Sequence, residues 1–421
     1  MINNLYTIFK NLELSWIDSS SDIVNSKVYN DLLSIFPNLE SFFREGRVKD
    51  EDEFQRTVRH IFRLFKIYFI IQSGDIFQET LSSEASNIIK EKLSIQISQN
   101  DLIIPIILMY HDIGRLDNKK EHPYYSYLVI SREKMLKAFE LSNIDKILIN
   151  KVIQYHLLFA TIYTGESTFY GVYSLLNDSD FTKLLDNKKY IDRFIDLLEI
   201  FTYLDIMGYS YSRIYDHYIN YYEEINIKLK NILYLWPKRD KALKKSLKYS
   251  REWMEWRIAG ALRIFQYENT ESYLTKNFYI EKVKSSFYNA YIDDNDWESI
   301  KNNYLMEVSK VQIKYGLAIL MLLAIGKFFR GPIKTNQEVS KNIAIFWILL
   351  SKEIKKRSIN NDSFLWNVHF IKLPNWWKWD RKFKKELSYD SLNHIIKNAA
   401  QDFNEERKEF NLYLDFSSIF F

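Results

Sequence analysis

Cysteine is absent from this chain of 421 residues, and glycine and proline are scarce, at 10 and 6 residues. The lack of cysteine excludes a disulfide framework and any nucleophilic catalysis or metal binding by thiolates. It also agrees with a reducing compartment, so we expect a cytoplasmic protein. Because few residues can form turns, long helices are favoured over many short strands.

Long apolar runs are also missing. The most membrane-like stretch, Tyr315 to Gly326, has 12 uncharged residues, whereas a spanning helix needs about 20. We therefore interpret this stretch as a buried core helix and expect no transmembrane segment. The N-terminus, MINNLYTIFKNLELSW, lacks a basic segment followed by an apolar one, so we expect no signal peptide.

Hydrophobic residues make up 47% of the chain and charged residues 27%, a composition typical of a globular protein with a large core. The length exceeds that of a typical single domain. We predict the all-α class with three consecutive regions: an N-terminal helical extension (1–48), a helical domain (49–230) and a basic, aromatic-rich, mainly helical region (231–421).

The net charge of +4 conceals an uneven distribution. Residues 1–230 contain 26 basic and 32 acidic side chains, and residues 231–421 contain 32 and 22, so the net charges are −6 and +10. An anionic partner and attraction between the two halves both remain open as explanations. Tryptophans are interleaved with basic residues in 237–267 and 375–385, as in some surfaces that bind nucleic acids or membranes. We favour solvated helices whose tryptophans pack inward.

The most informative stretch begins at Ile103, where an apolar helix leads into His111 and Asp112. Asp101 is expected to be its N-cap, and Pro105 fits its first turn. Apolar side chains cover nearly the whole circumference, so the helix should be buried on most sides. A histidine and an aspartate at the end of a buried helix need partners, because an unpaired polar group there costs several kcal/mol.

Other histidines and acids lie on apolar helix faces. A long helix should begin near Asp50, and its His60 lies on one stripe with Leu64 and Ile67. His156 ends a similar stripe in the predicted helix Ile144 to Phe159. Asp205 follows Phe201 by one turn in the predicted helix Ile191 to Met207, where it needs a cation or donors around it. His122 precedes a small residue, Ser126, by one turn.

The sequence His111-Asp112-Ile113-Gly114-Arg115 resembles the signature of the HD-domain metal-dependent phosphohydrolases. In that superfamily an earlier helix carries a histidine about 50 residues before the pair, later helices carry one or two more, and another helix carries a closing aspartate. His60, His156 and Asp205 fit this order. The resemblance covers residues 50–215 and implies an HD-type helical bundle. Gly114 is expected to let the chain turn.

The resemblance also implies roles for the individual residues. His60, His111, Asp112 and Asp205 would hold a first metal ion, and Asp112 would bridge to a second one. His122 and His156 would be ligands of that second ion, with His122 alternatively a donor to phosphate. Arg115, Lys119 and Lys120 would neutralise the phosphate of the substrate.

Imidazole and carboxylate ligands suit Mn, Fe, Co, Ni or Zn, and Mg stays open. Such ions lower the pKa of a bound water and stabilise the attacking and leaving oxygens of a phosphoryl displacement. Two-metal members of the superfamily often have paired histidines where this chain has His156-Leu157. Whether a second ion binds is therefore open, and one or two ions are compatible with the sequence. Asp112 and Arg115 are the predicted catalytic residues.

Hydrolysis of a nucleotide or another small phosphoester is the first prediction. The alternatives are an HD-type nuclease that uses the basic half to bind single strands, an HD-type di-iron oxygenase, and a regulatory module that binds nucleotides without catalysis. The oligomeric state also remains open, and an oligomer is compatible with the sequence. The segment Thr161 to Asp180, with two glycines, is predicted to be a mobile loop beside the site. Three histidines outside the pattern should have surface or structural roles: His217, His369 and His394.

Overall fold

The computed structural model describes residues 1–20, 23–36, 38–75, 80–210, 212–250, 310–313, 346, 349–358, 364–372 and 388–420. They are mainly helical, which confirms the prediction at this coarse level. The chain divides into two compact units, one made of residues 1–159 and 187–230 and the other of residues 160–186 and 231–421.

The helices follow one another closely in the N-terminal half. In chain order they are α1 (Ile2–Phe9), α2 (Leu14–Ser19), α3 (Lys27–Ile35), α4 (Leu39–Lys49), α5 (Glu51–Ser73), α6 (Ser83–Gln99), α7 (Ile103–Tyr110), α8 (His122–Arg132), α9 (Asn143–Tyr155), α10 (Leu158–Thr164), α11 (Val172–Asn177), α12 (Ser179–Thr182), α13 (Lys188–Met207), α14 (Asp216–Leu233), α15 (Tyr389–Lys397) and α16 (Ser417–Phe420). Residues 239–250 and 349–357 are also helical.

The core of the first unit forms around α5. The Asp50 side chain caps this helix by accepting the Glu53 N–H at 3.0 Å, and three acids occupy the first turn, as predicted. Apolar residues occupy more than one face of α5, so neighbouring helices pack on several of its sides. For example, Phe9 of α1 stacks on Phe65 with ring centroids 5.1 Å apart.

Helix α7 is buried along its whole length, as its composition predicts. Pro105 lies in its first turn, but the prediction that Asp101 caps it is wrong. The Asn100 side chain instead accepts the Leu102 N–H at 3.1 Å, just before the helix begins. Asn and Asp are both good acceptors for such N–H groups, so composition alone did not distinguish the two neighbours.

The second unit contains a mixed four-stranded sheet in the order β1-β2-β4-β3. Strands β1, β2 and β4 are parallel, and β3 is antiparallel to β4. The strands are β1 (Val311–Ile313), β2 (Leu365–Ile371), β3 (Ala400–Asn404) and β4 (Glu409–Asp415). The prediction of the all-α class did not include this small sheet within the mainly helical C-terminal region. Trp366 and Phe410 stack across β2 and β4 at 4.6 Å, and alternate residues such as Asn367 and Glu409 bond on the opposite face.

The segment Thr161 to Asp180 is not a loop, contrary to the prediction. It contains the end of α10, a 3-10 turn at Phe169–Gly171, then α11 and the start of α12, and most of its apolar side chains are buried. Its polar residues cap these short elements. The Thr168 hydroxyl accepts the Tyr170 N–H, and the Asp178 carboxylate accepts the N–H groups at the start of α12.

Among the described residues, no single helix is both long and apolar enough to cross a membrane, and Ser83–Gln99 with Ile103–Leu116 meet that criterion only as a pair bent by 108°. The apolar stretch Tyr315 to Gly326 lies outside the described residues, as do the basic and aromatic residues 251–267 and 375–385.

Gly114 lies in a tight 3-10 turn, Ile113–Leu116, directly after the His-Asp pair. The turn does not need a left-handed glycine, because Gly114 is absent from the positive-φ residues. It needs the missing side chain: a Cβ here would lie 2.2 Å from the Ser126 backbone nitrogen and 2.5 Å from the His122 carbonyl oxygen. The Ser126 hydroxyl fixes the same turn by accepting the Gly114 N–H at 2.8 Å and donating to the His111 carbonyl at 2.6 Å.

We expect Gly114→Ala to lower the free energy of unfolding by about 3 kcal/mol, because the new methyl group meets backbone atoms that cannot rotate away. Gly46→Ala is the matched control, since its Cβ would meet the Leu116 side chain, which can move. That change should cost on the order of 1 kcal/mol or less. Denaturant unfolding of both variants measures the difference, and equal effects would contradict the proposed close approach.

Candidate metal centre

Six side chains with metal-binding capacity meet in the first unit, although they come from five separate elements. Five are buried and Asp205 is largely so. They are His60 in the middle of α5, His111 and Asp112 directly after α7, His122 at the start of α8, His156 directly after α9 and Asp205 near the end of α13.

The first group contains His60, His111 and Asp205, whose ligand atoms all lie within 4.8 Å of one another. Nε2 of His60 lies 2.9 Å from Oδ1 of Asp205, and Nε2 of His111 lies 3.6 Å from the same oxygen. The two imidazole rings meet edge to face, with centroids 5.3 Å apart. Two nitrogens and an oxygen therefore face one small volume.

The second group contains Asp112, His122 and His156, again with ligand atoms within 4.8 Å. Nε2 of His122 lies 3.1 Å from Oδ1 of Asp112, and the centroids of the His122 and His156 rings are 5.2 Å apart. Helix α9 ends at Tyr155, earlier than predicted, and His156 follows in the break before α10.

Asp112 connects the two groups. Its Oδ1 faces His122, while its Oδ2 lies 3.7 Å from Nε2 of His111. The rings of His111 and His156 also adjoin, with centroids 5.4 Å apart. A carboxylate with one oxygen towards each group has the geometry that a bridging ligand needs.

Backbone carbonyls hold three of the imidazoles in the same way. Nδ1 lies 3.1 Å from the Leu108 carbonyl in His111, 3.1 Å from the Lys119 carbonyl in His122 and 2.8 Å from the Ile153 carbonyl in His156. An Nδ1–H that donates to the carbonyl leaves the lone pair on Nε2. In His111 and His122, Nε2 is the atom that faces the acids. Metal-binding histidines commonly have such a second hydrogen bond.

His111 gives the sharpest test of whether these residues fit a cation. Its side chain is fully buried, and its Nε2 has no hydrogen-bond partner among the described residues. A buried polar atom without a partner costs roughly 1–3 kcal/mol. A cation bound between His111, Asp112 and Asp205 would remove this cost and offset the negative charge of both acids.

Four of the six side chains have pKa shifts that favour the protonation states that metal ligands need. Burial alone would raise the pKa of Asp112 and Asp205, but the neighbouring histidines hold both pKa values below the ordinary range, with help from Arg115 at Asp112. Burial lowers the pKa of His156 to about 3 and also lowers that of His122. Both acids are therefore ionised and these two imidazoles neutral near pH 7.

His111 differs from the other two histidines. Burial opposes its protonation, but the charges of Asp112 and Asp205 raise its pKa above the ordinary value. A bound cation would offset the same two negative charges.

Two aromatic residues enclose the group. Phe201 lies edge to face against His111 and His156, at centroid distances of 5.0 and 5.5 Å. Tyr209 stacks on His60 at 4.2 Å. Sequence reasoning missed Tyr209, although it follows Asp205 by four residues and so continues the stripe of Phe201 and Asp205.

Two of the three predicted phosphate-binding cations, Arg115 and Lys119, have acidic partners. Nε of Arg115 donates to Glu53 at 2.7 Å, and Nζ of Lys119 lies 3.1 Å from Glu53 and 2.9 Å from Asp50. Lys120 is exposed, and its backbone N–H donates to Asn118. Glu53 was missed by sequence reasoning, although it precedes His60 by seven residues and so shares its helix face.

Two of the three remaining histidines lie in the second unit. His369 in β2 is within hydrogen-bond distance of Asn411, and His394 in α15 is exposed beside Asn398. Both agree with surface or structural roles. The His217 side chain lies outside the described residues.

The donor set of four imidazoles and two carboxylates suits first-row divalent metals. The chain matches no protein-family model, no curated protein and no solved structure.

We expect protein equilibrated with Mn²⁺ and then desalted to retain the ion, and His111→Ala to weaken retention by about 100-fold or more. Loss of a direct ligand should exceed the 10- to 100-fold effect typical of residues that only orient ligands. His394→Ala is the control, because its imidazole is exposed in the other unit. Elemental analysis measures the retained Mn²⁺, and equal retention by all three proteins would contradict a metal site at His111.

Proposed function

We propose that this protein is an HD-type metal-dependent phosphohydrolase that acts on a nucleotide or another small phosphoester. The observation that carries the proposal is the convergence of His60, His111, Asp112 and Asp205 from distant parts of the chain, in the order that the HD signature implies. Each of the two His/Asp groups has its ligand atoms within 4.8 Å. Basic residues beside the same turn support a phosphate-bearing substrate.

His60, His111, Asp112 and Asp205 would hold one divalent ion, and Asp112, His122 and His156 a second one. Bound at these positions, the metal supplies Lewis acidity and lowers the pKa of a coordinated water towards neutrality. The carbonyls of Leu108, Lys119 and Ile153 keep three of the rings oriented for this purpose.

The protein's own residues supply the remaining functions. Arg115 follows Asp112 by three residues and brings a planar guanidinium to the substrate side of the pair, where it neutralises phosphate charge. Phe201 keeps water away from the inner faces of His111 and His156, which strengthens the electrostatic interactions there. Ser126 and Gly114 fix the turn between Asp112 and Arg115, and this turn sets the distance between the carboxylate and the guanidinium.

A di-iron oxygenase of the same superfamily is the second candidate. It is favoured by the adjacent positions of two similar His/Asp groups, with His111 and His156 rings 5.4 Å apart, because this donor set also suits iron. Arg115 and its acidic partner favour phosphate chemistry instead. Consumption of oxygen by the iron-loaded protein would support the oxygenase.

We expect the Mn²⁺-loaded protein to hydrolyse at least one member of a panel of nucleotides, cyclic dinucleotides and short oligonucleotides. Asp112→Ala should reduce the turnover by about 100-fold or more while helix content is retained, because Asp112 would be a ligand of both ions. Asp112→Asn keeps the shape of the side chain and tests the charge alone.

His369→Ala is the control and should leave kcat/KM unchanged, because its imidazole lies in β2 of the other unit. Full activity of both Asp112 variants would remove this residue from the reaction. An absence of turnover across the whole panel, together with nucleotide binding, would favour the regulatory module over the enzyme.

A further inference from the structure

Glu53 is a buried acid beside the metal centre that neither the HD signature nor the metal ligands account for. Its side chain is 5% exposed, and it lies on α5 two helical turns before His60. Each of its oxygens meets a cation: Oε1 accepts from Nε of Arg115 at 2.7 Å, and Oε2 lies 3.1 Å from Nζ of Lys119.

The pairing uses a particular part of the Arg115 side chain. Both of its acidic contacts are made by Nε, at 2.7 Å to Glu53 and 3.8 Å to Asp112. In the part of the chain that the structure describes, no hydrogen bond or ion pair engages Nη1 or Nη2. These two terminal nitrogens carry four N–H donors in one plane, an arrangement that suits two oxygens of a phosphate group.

Glu53 and Asp112 compete for the same guanidinium. Nε is 1.1 Å closer to Glu53 than to Asp112, so Glu53 holds the stronger contact. Without Glu53, the nearest remaining acid would be Asp112, and Arg115 would be drawn onto the oxygen that faces His111. The guanidinium would then compete with a cation for Asp112 and would turn away from an incoming phosphate.

Resting on the proposed function, we propose that Glu53 is a positioning residue that holds Arg115 away from Asp112 and so keeps the terminal nitrogens of its guanidinium available to bind the phosphate group of the substrate. Glu53 does not touch the substrate; it acts through Arg115.

Charge and burial agree with this role. Burial alone would raise the pKa of Glu53, but hydrogen bonds from Lys119 and Arg115 hold it below the ordinary value, so Glu53 is an anion. Lys119 is about half exposed and also contacts Asp50, the N-cap of α5. Lys119 therefore links Oε2 of Glu53 to the start of α5, while Oε1 of Glu53 accepts from Arg115 and orients it.

The test is the affinity of the Mn²⁺-loaded protein for inorganic phosphate, measured by calorimetry, together with KM and kcat for p-nitrophenyl phosphate. We expect Arg115→Ala and Glu53→Ala each to weaken phosphate binding by about tenfold or more, as loss of a charge-assisted contact typically does. KM should rise more than kcat falls. Glu53→Gln keeps an acceptor for Nε and should be intermediate.

The double variant Glu53→Ala/Arg115→Ala separates positioning from a general structural effect. If Glu53 acts through Arg115, the double variant binds phosphate no more weakly than Arg115→Ala does. Additive losses would overturn the proposal, as would a Glu53→Ala protein that binds phosphate like the wild type. If Glu53→Ala fails to fold, the comparison is made with Glu53→Gln, which must still weaken binding.

Glu51→Gln is the matched control, because Glu51 lies in the same first turn but is about half exposed and pairs with Arg47. It should leave phosphate binding unchanged. Failure of the proposed function is a separate outcome: the wild type would then retain no Mn²⁺ or bind no phosphate, which overturns both proposals. If the wild type binds phosphate and Glu53→Ala binds it equally well, only the positioning role is overturned.

Discussion

Two ionised carboxylates, Asp112 and Asp205, lie among four histidines where little water can reach them, and this is the interaction on which the arrangement of the first unit depends. An isolated buried carboxylate is expensive, because the interior cannot replace the hydration of its charge. The histidines offset part of this cost, as the lowered pKa values of both acids indicate. Nε2 of His111 nevertheless stays without a partner among the described residues. A cation is the species that would satisfy both acids and this nitrogen at once.

The same constraint explains why the site needs so many helices. No single helix can present more than two or three ligands to one point, because only side chains three or four residues apart are neighbours on one helix face. The protein instead uses helix ends. His111 and His156 follow the last turns of α7 and α9, and their Nδ1 atoms reach carbonyls of those turns, which have no partner within the helix. Helix termination therefore orients the imidazoles without any additional side chain.

Periodicity identified the residues that line the site and failed to identify their partners. His60, His156 and Asp205 lie on apolar stripes, and a polar residue on such a stripe must be satisfied inside the protein, so their position could be inferred from local pattern. The pairing of Glu53 with Arg115 joins residues 62 apart in sequence, and nothing in either stretch alone specifies it. Thr161 to Asp180 was misread for a related reason: its polar residues were taken as loop formers, whereas Thr168 and Asp178 cap short buried helices.

Strand β4 alternates buried and partly exposed residues, but strand β2 beside it does not, and β2 gave no strand signal in the sequence. Strand β2 is buried at Leu365, Trp366, Asn367 and Val368 in succession, and a short apolar run of this kind does not distinguish a strand from a buried helix. Its polar face is satisfied only after folding, when Asn367 donates to Glu409 on the neighbouring strand. The candidate metal centre and the sheet thus follow one rule. In each unit, polar side chains can be buried because folding brings them a partner that is distant in sequence. At His111, no described residue is a hydrogen-bond partner of Nε2, and a bound cation would satisfy this atom.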